Sequence, residues 1–107
     1  MKTTHYNKLV RDNIPDIIES EGKTPDVSVC DEETYLEKLN EKLLEEVREY
    51  SRSHAVEELA DVVEVVHAIL DVKGISNTTF DRLRSNKNKI KGAFRKRLLL
   101  KSVLEKE

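Results

Sequence analysis

Two short stretches carry the side chains whose types and spacing could do chemistry: Glu45-Glu46-Val47-Arg48-Glu49, and Glu57-Glu58-Leu59-Ala60-Asp61 a few residues later. On a helix, side chains three positions apart share a face, so Glu46 with Glu49 and Glu58 with Asp61 make two pairs of adjacent carboxylates. Several ionised carboxylates held close together on packed helices repel one another and lose solvation unless a cation compensates. Hard oxygen donors of this kind suit Mg²⁺ or Mn²⁺, which keep some of their waters and bridge to the phosphates of a nucleotide. The alternative for Glu46 and Glu49 is that of ordinary helix-surface residues paired with Lys42 or Arg52. That alternative is weaker for Glu58 and Asp61, whose surroundings in sequence are mostly apolar.

A nucleotide also needs cations for its phosphates. Lys8 and Arg11 near the start and Lys91, Arg95 and Arg97 near the end are the candidates; the last group also reads as a solvated basic face. Glu64 and His67 form one ExxH unit, the kind from which di-iron carboxylate bundles are built; such sites use two, and since the residues three before His54 and His5 are Ser51 and Lys2, only a second copy of the chain could supply the other. His67 is otherwise a packing or hydrogen-bonding histidine. Cys30 has no neighbouring base or second cysteine to lower its pKa and reads as structural.

The elements that must position these groups are helices. Leu36, Leu39, Leu43, Val47 and Tyr50 follow a 3-4 spacing that predicts an amphipathic helix over about 31–52, capped by Asp31. On its wheel Glu46 falls roughly 60° from the centre of the apolar stripe, within reach of a cleft, while Glu45 points nearly opposite. Ser51 to Ser53 interrupt the pattern, and Ser53 is a candidate cap for a second helix over about 54–72, ended by Gly74. A break this short predicts an antiparallel hairpin. Ala55, Val56, Leu59, Ala60, Val62, Val63, Val65, Val66, Ala68, Ile69 and Leu70 cover most of the second helix, which must therefore be buried. Around the hairpin, the sequence predicts a helix over about 13–21 with Pro15 in its first turn, a short extended piece over 23–30, a helix from about Thr79 capped by Thr78 or Asn77, ended or kinked at Gly92, and a last short helix over 98–107.

The chain of 107 residues is 37% hydrophobic and 37% charged. That is one all-α domain of about four to five helices whose apolar residues must be concentrated on a few faces, and a bundle completed by a homodimer or homotetramer. The net charge of -2 gives no overall reason to bind nucleic acid. Acidic residues crowd 31–64 and basic ones the C-terminal segment, an arrangement able to hold a cation beside a phosphate. No apolar run approaches the roughly 18 residues a membrane span needs, no leader pattern opens the chain, and a single cysteine fits a reducing compartment, so a cytoplasmic protein is expected.

EEVRE followed after a short gap by ELAD resembles the EExxE and ExxD motifs of the MazG-like all-alpha nucleoside triphosphate pyrophosphohydrolases. The opening YNKLVRDNIPDII looks like the N-terminus of their phosphoribosyl-ATP pyrophosphohydrolase-like branch, and KGAFRKRLLL resembles a basic, glycine-containing segment of the same proteins. Together these cover most of the chain, although the gap between the two acidic motifs is at the tight end. The resemblance implies a Mg²⁺-dependent hydrolase that splits a nucleoside triphosphate into the monophosphate and pyrophosphate, with Glu46, Glu49, Glu58 and Asp61 as metal ligands and Glu49 or Glu46 as the base. A non-enzymatic helical oligomerisation or regulatory module is the competing expectation.

Overall fold

A computed structural model describes all 107 residues, and the protein is all-helical: α1 (Ile14–Ser20), α2 (Glu32–Ser53), α3 (Val56–Val72) and α4 (Asn77–Lys91). The chain divides into two units, residues 1–75 and 76–107. No helix is long and apolar enough to cross a membrane.

The first unit is built on the α2–α3 pair. Asp31 starts α2 as expected, its carboxylate accepting from the Thr34 backbone N–H at 2.7 Å. That bond holds the Asp31 carboxyl below its usual range. His54 ends α2 in the left-handed region at φ +56°, donating its N–H to the Tyr50 carbonyl at 2.7 Å. Ser53 is therefore not the cap of the next helix. It is the last residue of α2, and its hydroxyl accepts from the Ala55 N–H at 3.1 Å, bracing the two-residue link. Ala55 opens α3 with no side-chain cap, and Glu57 and Glu58 supply negative charge to the first turn instead. After α3 the Ile75 N–H reaches the Leu70 carbonyl and the Gly74 N–H reaches Asp71, the pair of bonds that closes a helix through a left-handed residue. Gly74 takes that conformation at φ +70°. Gly22, at φ +80°, ends α1 the same way. Residues 23–30 form no strand.

All buried residues lie in this unit: Leu39 on α2, Val65 and Leu70 on α3, and one charged residue, Glu46. The expectation that α3 is covered nearly all round does not hold within the chain, where Val56 is 74% and Val63 52% exposed. One partner helix covers only one side of a helix.

In the second unit the Ser76 hydroxyl accepts from Thr79 N–H at 3.1 Å, so α4 begins at Asn77, two residues before the expected start, and neither Asn77 nor Thr78 is its cap. Gly92 ends it at φ +84°. The expected last helix over 98–107 is absent. Leu98, Leu99 and Leu100 are each about four-fifths exposed, and a ten-residue segment without a packing partner is too short to hold a helix in water.

Candidate metal centre

Glu46 stands two turns after the buried Leu39, and seven residues at about 100° each return to nearly the same face. It is consequently more deeply placed than the edge position read from the wheel, at 8% exposure. On α3, Glu58 is seven residues before the buried Val65 and Asp61 four before it, so both lie on the side that packs on α2. The hairpin thus gathers Glu46, Glu58 and Asp61, each offering a carboxylate oxygen within 4.8 Å of the other two.

Glu49, the fourth expected ligand, is not in this trio; its carboxylate is bonded to Arg52 Nη1 at 3.3 Å and is about half exposed. It is still near enough for its charge to act on Glu58. Burial first, then the charges of Asp61, Glu49 and Glu46, push the Glu58 carboxyl above its usual range. Repulsion that raises a carboxyl in this way is relieved by a cation placed among the groups that cause it. The donors are all carboxylate oxygens from two helices, the hard set that would suit Mg²⁺ or Mn²⁺. Neither Glu64 nor His67 belongs to the trio.

Basic side chains border the cluster. Arg11 Nη2 donates to Asp61 Oδ1 at 2.6 Å, and Lys42 Nζ lies 3.3 Å from Glu46 Oε1. Lys8 Nζ donates to Glu45 Oε1 at 3.0 Å; this contact, with help from Lys42, holds the Glu45 carboxyl below its ordinary range against the opposing effect of burial. Lys38 Nζ donates to the Asn7 carbonyl at 3.4 Å. The contacts of Arg11, Lys8 and the Asn7 carbonyl tie the irregular N-terminal segment to α2 and α3, and they give Glu45 a task that its outward position on the wheel concealed. A residue on the far side of an apolar stripe is reached by a segment wrapping round the helix, and no helical period signals that. An open depression of about 420 Å³, lined by Arg11, Asp12, Asn13, Ile14 and Ile17, begins at the arginine that holds Asp61. Lys91 closes α4 and Arg95 follows it; both are exposed and both belong to the second unit.

Comparison of the chain with protein-family models, with curated proteins and with solved structures gave no match.

Proposed function

We propose that the protein is a Mg²⁺-dependent nucleoside triphosphate pyrophosphohydrolase of the MazG-like kind, acting in nucleotide-pool clean-up. The observation that carries this reading is the convergence of Glu46, Glu58 and Asp61 from two helices, with Glu46 buried. A solvated acidic surface does not take one of its carboxylates into the core.

In this reading Glu46, Glu58 and Asp61 hold the metal and Glu49 completes the set or serves as base. Bound there, Mg²⁺ would offset phosphate charge and acidify a water. Glu49 is half exposed beside the trio, so a modest side-chain rotation away from Arg52 frees it to accept the proton of the attacking water. The water oxygen bonds to the α-phosphorus, the bond from that phosphorus to the bridging oxygen breaks, and pyrophosphate leaves with the electron pair. Arg11 and Lys8 border the trio and offer their charge to the phosphates, at the expense of exposed ion pairs with Asp61 and Glu45 that are worth less than about 1 kcal/mol each. Lys91 and Arg95 are the second group of phosphate candidates. The working form is a homodimer or homotetramer, because α3 keeps an exposed apolar side that a second copy can cover. The single free thiol, Cys30, suits a cytoplasmic setting.

The test is pyrophosphate release from a panel of canonical and modified nucleoside triphosphates, with Mg²⁺ and with chelator, beside Glu58→Ala and Asp61→Ala. Metal-dependent release that both variants lose supports the reading; metal-independent release, or full activity in the variants, removes it.

One observation favours a helical module without activity: the acidic residues have partners within the chain, Glu46 in Lys42, Asp61 in Arg11 and Glu49 in Arg52. A module of this kind has no need of the cation, so its thermal stability would be indifferent to Mg²⁺ and Mn²⁺.

A further inference from the structure

The N-terminal segment is tied to the candidate metal centre almost wholly by charge. Of residues 1–13, which form no helix, Leu9 alone is not exposed, so little apolar burial fixes them. The grip comes from two cations three positions apart, Lys8 on Glu45 at 3.0 Å and Arg11 on Asp61 at 2.6 Å, with the Asn7 carbonyl accepting from Lys38 at 3.4 Å beside them. Both ion pairs lead to the trio of carboxylates. Arg11 reaches it directly, since Asp61 is one of the three. Lys8 reaches it through a single ammonium group: Lys42 Nζ lies 3.3 Å from Glu46 Oε1 and 3.6 Å from Glu45 Oε1, the oxygen that Lys8 holds. The Lys42 side chain is 19% exposed, the least of the cations in these pairs, which keeps it between the two glutamates rather than out in solvent.

We infer, on the basis of the cation site proposed above, that residues 7–11 are a strap which a cation at Glu46, Glu58 and Asp61 releases. Arg11 and Lys42 are the positive groups that neutralise Asp61 and Glu46, and a divalent cation among the same carboxylates repels both. Arg11 then loses its hold on Asp61. Lys42 is driven from Glu46 toward Glu45, where it meets Lys8 on one oxygen; Lys8, the more exposed of the two ammonium groups, gives way to water. Both anchors thus answer to one event, although neither Lys8 nor Glu45 belongs to the trio. Exposed pairs of this kind are individually weak, so a cation can displace them, while two on one short segment hold it together. The release has a functional consequence. Lys8 and Arg11, proposed to meet the phosphates of the substrate, become free to do so once the cation is in place, which sets an order of cation first and nucleotide second.

Two readouts independent of turnover test the strap on the full chain: Mn²⁺ affinity by calorimetry, and hydrogen exchange of the amides of residues 7–13 with and without Mn²⁺. In the wild type Mn²⁺ should speed that exchange several-fold. Arg11→Gln should bind Mn²⁺ about two- to fivefold more tightly, because the competitor for Asp61 is gone. Lys42→Gln cuts the link to Lys8, so Mn²⁺ should speed exchange less in this variant than in the wild type. The wild-type comparison needs no variant and decides the matter even where a variant fails to fold. Slower exchange with Mn²⁺, or weaker Mn²⁺ binding by Arg11→Gln, overturns the strap and leaves the cation site standing, with Arg11 orienting Asp61 for the metal. Exchange that does not respond to Mn²⁺, where the ion binds and Asp61→Ala abolishes the binding, likewise overturns the strap alone. A wild type that binds no Mn²⁺, or binding that survives in Glu58→Ala and Asp61→Ala, overturns the cation site and the strap with it.

Discussion

Burial and the surrounding charges of Asp61, Glu49 and Glu46 raise the Glu58 carboxyl above its ordinary 4.5, so the folded chain holds that proton more tightly than the unfolded one. The stability Glu58 contributes is full below pH 4.5 and is lost as the pH rises through the raised value. Glu58→Gln is therefore expected to melt at a higher temperature than the wild type at neutral pH in chelator. If it is a ligand, as proposed, the same variant loses the stabilisation that Mg²⁺ gives the wild type and about a hundredfold or more of its turnover. Melting curves with and without metal check the first two outcomes, and pyrophosphate release checks the third. Glu45 runs the other way. Its lowered pKa contributes stability above pH 4.5 that is lost as the pH falls through the lowered value, and Lys8→Ala should remove most of that acid dependence because Lys8 is its main cause. A pH titration of the melting temperature that shows the same acid limb in Lys8→Ala speaks against this account.

Helix ends and faces set what those residues can do. Gly74 closes α3 in a left-handed conformation, and a methyl group added there meets no atom within 4 Å, so the cost of Gly74→Ala is one of backbone conformation alone. Chemical denaturation should show a loss of about 1 kcal/mol, a figure that a tertiary clash would exceed. Leu39 faces α3 as one of three buried apolar side chains, and Leu39→Ala should cost about 2 to 3 kcal/mol, at the lower end of such changes because so small a core can relax around the gap. Much at this scale was legible in the sequence: the 3-4 spacing from Leu36 to Tyr50 located α2 within two residues at either end, and Asp31 was its cap. What misled was local chemistry with two equally good uses. Ser53 can cap the following helix or brace the link from inside the preceding one, and the Leu98–Leu100 run has the composition of a helix but no surface to pack on.

For the molecule as a whole, three buried apolar side chains are few for 107 residues, and under the proposed function the balance of stability passes to a second copy over α3 and a cation in the acidic cluster. Under the proposed function, melting temperature should rise with protein concentration and again, separately, with Mg²⁺ or Mn²⁺; a flat response to both points to a helical module whose ion pairs already suffice. The sequence by itself determined that the protein is all-helical, where the hairpin lies, and that two acidic motifs stand on its two arms. These follow from periodicity, which is a property of neighbours along the chain. Only the tertiary structure decided that Glu46, Glu58 and Asp61 converge while Glu49 turns to Arg52, and that Lys8 and Arg11 reach back to Glu45 and Asp61. Those partners are brought together by helix packing and by the course of an irregular segment across 37 and 50 residues of sequence, and no local period encodes either.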